Sequence, residues 1–98
     1  MRSTPRYNYA LQLDRQKSRR VKREHGASLA EAQEIFEQTY VVDQKQNDPE
    51  QFRAIGWCAG HPCSVIFEIR RDAGGELHHL VTAWKATERE EQDYAENI

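Results

Sequence analysis

Apolar residues recur along this chain at two different periods, and the change between them marks its organisation. Leu29, Ala32, Ile35 and Phe36 stand at helical spacing, and Ser28-Leu-Ala-Glu31 just ahead is a capping box, so a helix is predicted from Ser28 to about Gln38. From Tyr40 the period becomes two. Tyr40 to Asp43 reads as a short strand, and Gln44 to Glu50 as a polar loop containing Pro49. Gln51 to Ala59 is the next strand, with Phe52, Ala54, Gly56 and Cys58 on one face and Arg53, Ile55 and Trp57 on the other. Pro62 to Arg71 follows, with Cys63, Val65, Phe67 and Ile69 facing one way, and Asp72-Ala-Gly-Gly75 supplies a turn. In the last strand, Glu76 to Lys85, strict alternation sets Leu77, His79, Val81 and Ala83 against His78, Leu80, Thr82 and Trp84. Both faces carry apolar side chains, which places this strand inside a sheet.

The two ends of the chain are less apolar. Residues 1–6 read as a loose tail, and alternation of Tyr7, Tyr9, Leu11 and Leu13 with polar residues predicts a short strand. Asp14 is an N-cap, and the helix behind it runs to His25, where Gly26 stops it. Gly26 to Ser28 is so short a link that the two helices form a tight hairpin. At the other end Thr87 and Glu90 make a second capping box for an acidic helix reaching about Glu96, which has few apolar residues to bury. The expected fold class is α+β: one domain over residues 1–98, with two N-terminal helices on a four-stranded antiparallel meander, a short extra N-terminal strand and a C-terminal helix.

Composition narrows the setting. Of the 98 residues 38% are hydrophobic and 31% charged, as in a water-facing domain. No apolar run approaches the roughly 20 residues that cross a bilayer, and the N-terminus lacks the apolar stretch of a secretory signal, so a cytoplasmic protein is expected. The net charge of -2 conceals an asymmetry. Residues 1–25 hold eight Lys and Arg against two acids, leaving six against fourteen for the remainder, or +6 and -8. A basic segment on an acidic domain points to a polyanion or an acidic protein segment as partner; a solvated helix facing the domain's own acids shows the same pattern. Cys58 and Cys63 bracket a hairpin turn where a disulfide is geometrically open, yet a reducing compartment favours free thiols. With His61 they spell Cys-x-x-His-x-Cys, which lacks the second spaced pair of a structural zinc site, so no metal or other cofactor is expected.

Several stretches taken in order carry a resemblance. A helix ending His25-Gly26, a Ser-capped helix with Glu31-Ala32-x-x-Ile35-Phe36, then Phe52-Arg53-Ala54-Ile55-Gly56 and Thr82-Ala83-Trp84-Lys85-Ala86-Thr87-x-Arg89-Glu90 together resemble the BrnT family across about residues 9–94. The resemblance implies a RelE-like fold, a toxin of a bacterial type II toxin–antitoxin pair, a BrnA-like antitoxin partner that also binds operator DNA, and metal-independent endoribonuclease activity that inhibits translation. In that chemistry the ribose 2′-OH attacks the adjacent phosphate, and positioning with electrostatic stabilisation does most of the work. The matching catalytic positions are His25 as general acid or base, with Arg53 and Lys85 holding the scissile phosphate; Lys22, Arg23 and Trp84 would contact RNA. The chain departs from the family at several of these places. Trp84 stands where the family writes Arg, Glu24 where it writes Lys, Val21 where it writes Asn, and Gln51 where it writes Arg. Trp84 can stack on a base or pack beneath the last helix, and His25 can equally cap its own helix. Losing cations weakens a phosphate site. A catalytically degenerate module that grips an antitoxin without cutting RNA is therefore the alternative expectation, and a small domain with a merely solubilising helix the third.

Overall fold

The structure, a computed structural model, describes residues 2–4, 10–48 and 50–98, without the side chains of residues 2–4 and 72. Tyr7 and Tyr9 of the expected first strand, and Pro49 of the expected loop, lie outside these. The elements are β1 (Arg2–Thr4), β2 (Ala10–Gln12), α1 (Arg15–His25), α2 (Leu29–Ala32), a 3-10 stretch (Gln33–Glu37), β3 (Tyr40–Asn47), β4 (Glu50–Cys58), β5 (His61–Asp72), β6 (Gly75–Lys85) and α3 (Glu88–Asn97). The class is α+β, as expected.

The caps form where the sequence placed them. Asp14 accepts the Lys17 N–H at 3.0 Å, and Gly26 closes α1 at φ 83°, a conformation that costs glycine nothing. Both capping boxes, Ser28 with Glu31 and Thr87 with Glu90, are complete. The stripe Leu29, Ala32, Ile35 and Phe36 is buried, but the helix tightens to 3-10 geometry after Ala32 instead of running evenly to Gln38.

Among the described residues the sheet has six strands, in the order β1-β3-β4-β5-β6-β2. β3 to β6 make the expected antiparallel meander, and β6 is interior because β2 pairs beside it in parallel. Three expectations are corrected. Residues 2–4 are not loose tail but an edge strand on β3. Gln44 to Asn47 is strand and not loop: β3 continues to Asn47 opposite Glu50, with a register shift between Gln44 and Gln46. Backbone pairing holds this extension, whose side chains from Gln44 to Asn47 are exposed and so leave no apolar signature. The third correction concerns the faces of β6. Phe67 pairs with Leu80 and Ile66 with Thr82, so Val81 is an extra residue, a β-bulge. The bulge shifts the alternation by one: His78, Leu80 and then Ala83 are buried.

One core lies between the sheet and α1, α2 and the 3-10 stretch, built on Leu29, Ile35, Phe36, Ala54, Val65, Phe67, Leu80 and Ala83. The opposite face buries Val41, Ile55 and Ser64, and α3 packs on that side against β3 and β4. β4 turns into β5 through Ala59 and Gly60, both at positive φ (51° and 85°), a two-residue type I′ turn shorter than the four-residue one expected. Cys58 and Cys63 stand diagonally across that hairpin with Cα atoms 6.0 Å apart and are joined as a disulfide, not held as free thiols.

Candidate functional site

The residues singled out in the sequence fall on two faces of the sheet. α1 lies along β6, and the Lys85 stem crosses its C-terminal corner: a Cβ on Gly26 would stand 3.4 Å from Lys85 Cε. His25, the neighbour of Gly26, is about half exposed, with Glu24 its nearest acid at 3.8 Å. His25 and Lys85 thus meet at one corner. Arg53 does not join them. It points to the α3 face, where Nε and Nη2 form a two-pronged pair with Asp43 at 3.1 and 3.0 Å and Nη1 donates to Glu90 Oε2 at 3.1 Å. That guanidinium is 15% exposed, and both its edges are engaged.

Trp84 lies on the same side as Arg53, because the Val81 bulge sets Thr82 and Trp84 on the face opposite His78 and Leu80. Its indole N–H donates to Glu90 Oε1 at 2.9 Å, as does the Thr87 backbone N–H. Burial would raise the Glu90 carboxyl, but the donors from Thr87 and Trp84 outweigh it and keep the group below its ordinary 4.5. The wholly buried Ser64 hydroxyl also favours the charged form without closing a hydrogen bond of ordinary geometry.

The basic helix carries a different arrangement. Ser18 is buried and accepts the Ala30 N–H at 3.0 Å, which holds α1 against the start of α2. Beside this joint opens a groove of about 560 Å³ lined by Arg15, Arg19, Lys22 and Arg23, with Leu13 and Ala30 as apolar wall. Lys22 is spoken for: its ammonium sits 2.8 Å from Glu31, which that contact and the Ser28 N–H hold below the usual carboxylate range. Arg15, Arg19 and Arg23 have no acidic partner among the described residues.

The histidines of β6 precede the bulge and divide between the two faces as alternation sets them. His78 is the buried one, stacked on Phe67 at 4.7 Å and edge-on to Phe36. His79 is half-buried and meets Gln12 of β2 at 2.7 Å, which fastens the parallel edge strand. At the β4–β5 tip, His61 Nδ1 lies 3.2 Å from Cys63 Sγ. The sequence reading missed two groups. Asp43 faces Arg53 through cross-strand register, which the hairpin length could have revealed. Glu90 was legible only as a helix cap, and nothing in its spacing shows the reach to Arg53.

Compared with models of known families and with curated proteins, the chain matches none. Among the described residues no helix is long and apolar enough to cross a membrane.

Proposed function

We propose that this chain is a BrnT-like, RelE-like module of the cytoplasm that binds an acidic segment of a protein partner, of the antitoxin kind, and does not cut RNA. The observation that carries the reading is the α1–α2 groove, where Arg15, Arg19 and Arg23 face solvent without acidic partners among the described residues. Three exposed guanidinium groups beside an apolar wall suit a carboxylate-rich segment that also offers an apolar side chain. Cleavage is disfavoured because Arg53 is paired twice and stands on the face away from His25 and Lys85. Fluorescence anisotropy with a labelled Glu/Asp-rich peptide tests this: Arg19→Glu with Arg23→Glu is expected to weaken binding at least tenfold. Unchanged affinity would remove the groove from the proposal.

A second reading, the endoribonuclease toxin, has one observation in its favour. Lys85 runs past Gly26 next to His25, so a cation and an imidazole share an exposed corner with the basic helix. There His25 would transfer the proton and Lys85 would hold the scissile phosphate, with an antitoxin occluding both and carrying the pair to operator DNA. Induction in a bacterial host separates the readings. Growth arrest with fragmented RNA, relieved by Lys85→Ala, would establish the ribonuclease.

A further inference from the structure

Neither reading above uses α3, yet its attachment to the sheet is unusual. Of its ten residues only Glu90 is buried; Asp93 and Tyr94 are half-buried and the others exposed. A helix normally docks through an apolar stripe. This one docks through a carboxylate. The chain leading to it is pinned as far as Ala86, whose N–H donates to the Pro62 carbonyl at 3.0 Å, while the next N–H, that of Thr87, is bonded to Glu90 of the helix itself.

The cradle that receives Glu90 has the composition of an anion site. Arg53 offers Nη1 at 3.1 Å and Trp84 its indole N–H at 2.9 Å, and Ser64 adds a wholly buried hydroxyl with no ordinary hydrogen bond. Asp43 neutralises part of Arg53, but Lys45 lies 3.1 Å from that same aspartate, so the cluster without Glu90 carries net positive charge. The three donors come from β4, β5 and β6, and none comes from α3 itself, so the cradle persists when the helix leaves. A phosphate oxygen accepts from the same donors as a carboxylate oxygen and carries more charge.

We infer that α3 is a displaceable strap whose Glu90 carboxylate occupies a phosphate-binding site formed by Arg53, Trp84 and Ser64, so that a phosphate group and the docked helix compete for one cradle. The site lies across the sheet from the α1 groove, and its fate is independent of what that groove binds.

The experiment uses the full chain with Trp57→Phe, which leaves Trp84 as its one tryptophan. Inorganic phosphate, and separately a short single-stranded oligonucleotide, are titrated against chloride at matched ionic strength, reading Trp84 emission and amide exchange over residues 88–97. Both ligands are expected to shift the emission and to speed exchange in α3 at least tenfold. Glu90→Gln, which keeps a capping-box side chain, is expected to bind at least tenfold more tightly, and Arg53→Gln added to it to abolish binding. Tighter binding of the oligonucleotide assigns the phosphate to nucleic acid, and equal binding to the free ion. Unchanged α3 exchange in the Trp57→Phe protein at saturating phosphate, or a folded Glu90→Gln protein with no gain in affinity, would overturn the strap. If Glu90→Gln does not fold, the exchange measurement decides alone.

Discussion

At the scale of single residues, two backbone positions set clear expectations. Ala59 holds φ 51°, a left-handed conformation that disfavours any residue with a Cβ, in a turn type that prefers Asn-Gly. Ala59→Asn should stabilise the protein by about 0.5 kcal/mol, visible as a thermal midpoint higher by a few degrees. Gly26 is the opposite case. Gly26→Ala combines φ 83° with a Cβ 3.4 Å from the Lys85 stem and should cost about 1–2 kcal/mol in denaturant unfolding. It should also move Lys85, so any activity at the His25 corner falls with it. Gly26 was legible as a helix stop from its place after a basic last turn. Ala59 was not, because a hairpin of four bracketed residues and one of two leave the same pattern of apolar positions on either side.

At the scale of elements, capped helices and core strands were readable, since side-chain oxygens and apolar periodicity announce them. What was hidden rests on backbone alone. The β3 extension from Gln44 to Asn47 has exposed side chains, and β1 is three polar residues held by its ladder to β3. The Val81 bulge was hidden because apolar residues on both sides of it fit strict alternation equally well. The candidate site was legible as a set of residues and not as a place: His25 and Lys85 come together, whereas Arg53's engagement with Asp43 and Glu90 needs register and a long-range contact. The β4–β5 hairpin supplies its own test. Its disulfide closes a short loop, for which chain-entropy reasoning gives about 2 kcal/mol; paired Cys58→Ala and Cys63→Ala should lower stability by roughly that amount, measured by denaturant unfolding, while the type I′ turn keeps the strand register.

For the whole molecule, pH divides stability into two windows. Burial lowers His78, and burial with Arg70 nearby lowers His79, from the ordinary 6.5. Protonation is then easier in the unfolded chain, so this contribution is complete above pH 6.5 and declines as pH falls toward the folded-state values. Glu31, Glu68 and Glu90 are held below 4.5, by Lys22, by Gln51, and by the Thr87 and Trp84 donors acting against burial, so their contribution is lost only below that pH. Thermal midpoints should therefore fall first below about pH 6.5 and again below about pH 4.5, and His78→Leu should flatten the first step.

The bulge in β6 has a consequence at the level of the gene. Val81 is the residue in excess of the ladder, so deleting its codon alone would leave Leu80 opposite Phe67 and Thr82 opposite Ile66 in unbroken alternation. Lys85 would stay on the α1 face, and Trp84 on the face that carries Arg53. The allocation of this protein's cations to two separate surfaces thus survives the smallest in-frame deletion when it falls at the bulge.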